Sequence, residues 1–166
     1  MQNLNRNKPC YVFGTGSFGQ LTAQALLSQG IKVRAFVSNT DQRQTLNGLP
    51  ILNWFQIPED EPSQVLLSVF NRDHALDHFY LEATQHNLHD IIMPWGFYGE
   101  LSEELGWQYW LQDAEQLNRC RPMLSEAINL MEDDESKVCL ERVFNFRCGK
   151  DIEYASFQHG DDQYFN

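Results

Sequence analysis

Cys10-Tyr11-Val12-Phe13-Gly14-Thr15-Gly16-Ser17-Phe18-Gly19 decides the reading of this chain. A short β-branched and aromatic run, Cys10 to Phe13, ends directly in a glycine, and the residues beyond Gly16 switch to a helical period. Phe18, Leu21, Thr22, Ala25 and Leu26 fall at i, i+3, i+4, i+7 and i+8, a stripe that can pack on a sheet, and Gly30 offers the left-handed position that ends a helix. Ile31 to Val37 then alternates as a second strand. Cys10 to Val37 therefore reads as a βαβ unit, with parallel strands and a right-handed crossover.

Gly14 to Gly19 fits GxGxxG, and it sits where that pattern carries weight, after a strand and at the opening of a helix. The first glycine permits the sharp turn, the second lets a phosphate approach the backbone, and the third lets helix and strand pack closely. Unpaired N–H groups at the helix start, with the positive end of the dipole, suit an anion. Thr15 and Ser17 add hydroxyl donors. The expected ligand is a small-molecule nucleotide or sugar nucleotide held by Gly14, Thr15, Gly16, Ser17, Phe18 and Gly19. Ser38, ending the second strand, and Asn71, beyond a later one, line the same crevice; Asn71 is equally suited to cap the following helix. The competing reading is that the glycines serve the turn alone and the pocket is empty.

A dehydrogenase would offer Asp or Glu about 20 residues past the motif to hold ribose hydroxyls. Here that place reads Val37-Ser38-Asn39-Thr40, Asp41 comes late, and Arg34 lies inside the strand. Neither the NAD nor the NADP pattern is complete, and NAD stays as an alternative cofactor.

Outward from this unit the alternation continues. Val65 to Phe70 is an apolar run interrupted only by Ser68, as expected of a strand buried on both faces, and Arg72 to His86 carries Leu76, Phe79, Tyr80 and Ala83 at helical spacing. Ile91 to Met93 is a further short strand stopped by Pro94. Trp95, Phe97 and Tyr98 follow it and either stack on a ligand or pack in the core. Leu49 to Leu52 with Trp54 and Phe55 reads as a surface excursion before the acidic loop Pro58 to Pro62, and Trp107 to Leu111 as another strand or an aromatic lid. Two helical segments, Ala114 to Met131 and Ser136 to Arg147, flank the acidic break Glu132 to Glu135. The expected fold is α/β, a Rossmann-like parallel sheet with flanking helices, followed by a C-terminal helical hairpin. Residues 1–112 form the nucleotide-binding-type domain, 113–149 the hairpin, and 150–166 a linker or tail.

Composition narrows the function. With 42% apolar and 13% aromatic residues the chain has a folding profile, and its net charge of −11 would repel a phosphate backbone, so nucleic acid is not an expected partner. No apolar run approaches the roughly 20 residues of a membrane span, and Met1 to Lys8 is polar, which points to the cytoplasm. Cys10, Cys120, Cys139 and Cys148 have no CxxC spacing and read as free thiols. His74, His78, His86 and His89 cluster in sequence without HExxH and read as a solvated polar face. No GxSxG elbow, Walker lysine or kinase set is present, so no catalytic residue is assigned. A homo-oligomer stays open.

Tyr11 to Gln20, Gly30 to Phe36 and Gly48 to Ile51 together resemble the N-terminal Rossmann-like region of some FkbM-family methyltransferases. The layout is also similar to the nucleotide-sugar-binding head of certain sugar acyltransferases. Leu130 to Ser136, Phe144 to Arg147 and Asp162 to Phe165 favour the first, looking like the segment that leads into the methyltransferase domain. The resemblance implies S-adenosylmethionine-dependent O-methylation of a sugar or polyketide hydroxyl by a domain following this one. The cofactor motif of that domain, VDxGAxxG in kind, occurs nowhere in these residues. On this expectation the chain binds or orients substrate, or mediates assembly, and is not itself catalytic.

Overall fold

The computed structural model describes residues 3–58, 62–69, 76–108, 111–112 and 114–149. Among them, six strands form one sheet: β1 (Cys10–Phe13), β2 (Val33–Val37), β3 (Thr45–Leu46), β4 (Leu49–Leu52), β5 (Gln64–Leu67) and β6 (Ile91–Ile92). Their order is β3-β4-β2-β1-β5-β6, and every neighbouring pair is parallel except β3 with β4. The chain builds outward from β1 through β2 and β4, then returns to the other side of β1 with β5 and β6. The order thus reverses between β1 and β5, and a Rossmann-like fold opens its ligand crevice at the carboxyl end of the strands there.

β1 and β5 are buried at every position, which is why their sequences run apolar without alternation. Gln64 is the polar exception in β5. Its amide donates to the carbonyls of Asn5 and Lys8 while its Oε1 accepts from Asn5 N–H, fastening the N-terminal segment under the sheet.

Helices α1 (Ser17–Ser28) and α2 (Leu76–Gln85) follow β1 and β5. Right-handed crossovers running in opposite directions, from β1 to β2 and from β5 to β6, put these two helices on opposite faces of the sheet. Phe13 contacts Phe79 of α2, with ring centroids 5.0 Å apart, so the face of Phe13 is the α2 face and its neighbours in sequence face α1.

α1 buries most of its expected stripe: Thr22, Ala25 and Leu26 are buried, together with Gly19 and Ala23, and Phe18 packs against the core, whereas Leu21 is 39% exposed. A Cβ on Gly19 would lie 2.0 Å from the Gly14 carbonyl oxygen, so position 19 faces the strand turn and positions 22, 23 and 26 follow it inward.

Leu49 to Leu52, expected in a surface excursion, instead extends the sheet as β4 beside β2. The cause is Asn47-Gly48, with φ of 51° and 80°, which closes a two-residue hairpin between β3 and β4 and returns the chain parallel to β2. The hairpin at the C-terminus also differs in detail. Its first segment divides into α5 (Ala114–Arg119) and α6 (Arg121–Leu130), because Pro122 in the first turn of α6 has no N–H to continue a helix through Cys120. The acidic break supplies the cap of α7 (Asp134–Arg147): Asp133 accepts from Ser136 N–H at 2.7 Å.

Leu124, Phe144 and Cys148 form a small cluster of their own, and Phe146 joins the hairpin to the sheet domain by an edge-on contact with Trp95. Two short helices, α3 (Trp95–Tyr98) and α4 (Ser102–Leu105), lie between sheet and hairpin. Gln108 and Leu111 form a single bridge and Trp107 is 79% exposed, so this stretch adds no strand to the sheet among the described residues. Tyr109, Trp110, the loop centred on residues 59–61, and the tail from 150 onward lie outside them. No described helix is long and apolar enough to cross a membrane.

Candidate functional site

The glycine turn leaves β1 at the switch point. Gly14 has φ of 114°, and a Cβ there would sit 2.6 Å from Val69 Cγ1 and 2.7 Å from the Ser68 carbonyl oxygen. Gly14 and Gly19 are therefore fixed as glycine by the protein itself. Gly16 is not. Its φ is −72°, and a Cβ built on it meets nothing within 4 Å. The second glycine of the motif borders open space beside the helix start.

That helix start carries no compensation. Gly16 is the N-cap of α1, no side chain caps the opening N–H groups, and no acidic residue lies in the first turn. The first intrahelical bond runs from Gln20 N–H to the Gly16 carbonyl, so the amides between them face outward at the positive end of a helix of 12 residues. Ser17 is exposed and Phe18 half-buried, its ring 6.2 Å from that of Phe97.

The turn is fastened by Gln20, which donates to the Thr15 carbonyl at 3.0 Å and accepts from Asn47 of the β3–β4 hairpin at 3.2 Å. In the loop after β2 the Ser38 hydroxyl oxygen accepts from Asp41 N–H (3.1 Å) and Thr40 N–H (3.3 Å), turning the loop back. The Asp41 carboxylate then accepts from Arg43 Nε, Nη2 and backbone N–H. The Arg43 guanidinium, and after it the Thr15 hydroxyl, hold the Asp41 carboxyl well below the usual carboxylate range.

The Thr15 hydroxyl contributes to lowering the Asp41 carboxyl pKa. The Ser38 hydroxyl oxygen accepts two bonds within the loop turn. Asn71 lies outside the described residues. Trp95, Phe97 and Tyr98 are core: all three are buried, and the Tyr98 hydroxyl donates to the Gly106 carbonyl at 3.0 Å.

Other polar groups at this edge were legible only in part. Ser68, the residue directly after β5, is 2% exposed and its Oγ has no hydrogen-bond partner. Trp54 Nε1, after β4, and Trp95 Nε1, after β6, are buried and unpartnered as well. Trp54 stacks on Phe13, the residue before Gly14, at 4.5 Å between centroids. Buried polar atoms without partners are rare in folded chains, and here they follow the carboxyl ends of strands.

No protein-family model matches this chain, nor does any curated protein. Its chemistry must be read from the crevice. What the crevice offers is a helix start without a side-chain cap or an acidic residue in its first turn, on a turn held by Gln20. Among the described residues there is no group of three His, Cys, Asp or Glu side chains that could hold a metal ion.

Proposed function

We propose that this domain binds a nucleotide or sugar nucleotide by its phosphate at the Gly14–Gly19 turn. The observation that carries the proposal is Gly16: neither backbone strain nor packing requires glycine there, yet its missing Cβ leaves room beside uncapped helical N–H groups. A turn fixed by Gln20 is already ordered for a ligand, so little entropy is lost on binding.

The likeness of Tyr11 to Gln20, and of the hairpin stretches, to FkbM-type methyltransferases supports a more specific reading. In it the domain orients substrate or mediates assembly for S-adenosylmethionine-dependent methyl transfer, and the transfer is not made by these residues. An NAD-type oxidoreductase fits less well, because Asp41, the acidic side chain in the loop after β2, has its carboxylate already engaged by Arg43. A cytoplasmic location is part of this proposal, supported by the four free cysteines.

The test is a thermal-shift screen of the purified chain against S-adenosylmethionine, NAD(H), NADP(H), UDP and sugar nucleotides, repeated with Gly16→Val. A stabilisation present in the wild type and absent in the variant is expected. No stabilisation by any of them would move the reading to an interaction domain, for which the exposed Met123 and Leu130 of α6 supply a surface.

A further inference from the structure

The loop after β2 lies where a Rossmann-like domain reads the ribose of its ligand, with a carboxylate for free hydroxyls or an arginine for a ribose phosphate. In this chain both residue types are present, and their hydrogen bonds rank them. Asp41 is 12% exposed and its oxygens are occupied by three donor groups of Arg43. To accept a ribose diol it would have to give up bonds that hold the loop. Arg43 is 54% exposed, and its Nη1 has no partner among the described residues. The guanidinium is planar and permanently charged, and Asp41 fixes one edge of it, leaving the Nη1 side for an oxyanion. The carboxylate is the anchor and the arginine the reader.

A second observation also calls for a ligand at this edge. β1 and β5 are in register with Phe13 opposite Leu67, so Ser68 falls on the face opposite to that of Phe13, the α1 face, one residue beyond the strand. Its carbonyl oxygen is what a Cβ on Gly14 would strike. The unpartnered Ser68 hydroxyl thus lies beneath the turn, in the layer between the sheet and the start of α1. A polar group left so deep without a partner is one that a bound anion, or a water ordered by it, would satisfy.

The geometry points to a nucleotide with two separate anionic groups as the ligand class: a phosphate or pyrophosphate at the Gly14–Gly19 turn, and a phosphomonoester on the ribose met by Arg43. This rests on the phosphate reading of the turn and adds the ribose phosphate to it. Two known sources share that chemistry, a ribose 2′-phosphate as in NADP and a ribose 3′-phosphate as in coenzyme A.

Calorimetric titration of the whole chain with matched pairs separates them: NADPH against NADH, coenzyme A against 3′-dephospho-coenzyme A. In one pair the phosphorylated member should bind tighter by on the order of tenfold to a hundredfold, as expected for a charge-assisted contact. Arg43→Gln should bring that ratio close to one and Arg43→Lys should keep part of it, with circular dichroism confirming that both variants fold. The preference should also shrink as salt is raised, since Arg43 is exposed. Equal binding of both members of each pair by the wild type, abolished by Gly16→Val, would overturn the Arg43 assignment and leave the turn site standing. A ratio that survives Arg43→Gln would overturn it too. Absence of binding by every member would remove the turn reading and this inference together.

Discussion

Gly19→Ala is the sharpest perturbation the fold suggests. The added Cβ would lie 2.0 Å from the Gly14 carbonyl oxygen and 2.7 Å from its carbon. Close carbon–oxygen contacts in proteins stop near 3.3 Å, so turn and helix must part by about 1.3 Å. Both partners are backbone, and no side-chain rotation relieves the clash. Overpacking of this kind costs about 1–3 kcal/mol and more where nothing can yield, while alanine regains up to about 1 kcal/mol of helix propensity. The net loss is about 2 kcal/mol or more, a fall in Tm of roughly 4–8 °C for a domain of this size. Gly16→Ala is the matched control, since its Cβ meets nothing within 4 Å, and it should change stability by less than about 1 kcal/mol. Thermal melts followed by circular dichroism read both. A Gly19→Ala protein melting at or above the wild type would refute the close packing of α1 on the turn, as would a Gly16→Ala loss of equal size.

Acid should loosen the loop after β2. Asp41 has a lowered carboxyl pKa in the folded chain, so its stabilising contribution is full above the unfolded carboxylate value of about 4 and is lost as pH falls through the folded value. Asp41→Asn should therefore melt below the wild type at pH 7, and the gap should narrow below about pH 4; a gap constant down to pH 3 would contradict this. The thiols divide by exposure: Cys120 and Cys139 should label readily with a disulfide reagent at pH 8, while Cys10 and Cys148 should wait for unfolding. Burial pushes the Cys10 thiol up to about 11, with Gln64 pulling weakly the other way, so rapid labelling of Cys10 in the native chain would show that β1 is not covered as described.

Much of the sheet was legible because its strands are unambiguous in residue type. Cys10 to Phe13 and Val65 to Leu67 are apolar without a break, and Gly14 and Gly19 announce a turn that no other residue fits. β4 was missed although its signal was present, since Asn47-Gly48 between short apolar runs is a hairpin pattern, here masked by the polar stretch before it and by Pro50 within it. The stripe of α1 was legible at Thr22, Ala25 and Leu26, but the exposure of Leu21 and burial of Ala23 were not, because Leu21 is the more apolar of the two and the contact of Gly19 with the turn outweighs that difference. The site was legible as a turn but not as a network. Asp41 is distant in sequence from the motif, and its engagement by Arg43 in the turn made by Ser38 is not visible in the residue pattern. Ser68 carries a legible signal, as the hydroxyl directly after a strand buried on both faces.

The central claim, that backbone N–H groups of the glycine turn receive a phosphate, is most directly tested by titrating the 15N-labelled chain with UDP, sugar nucleotides and the phosphorylated nucleotides above while following amide shifts. The account predicts that the largest saturable shifts fall on Gly16, Ser17 and Gly19, with Arg43 following for a ribose-phosphorylated ligand. Shifts confined to the hairpin residues, or none at these amides with any nucleotide at saturating concentration, would contradict it.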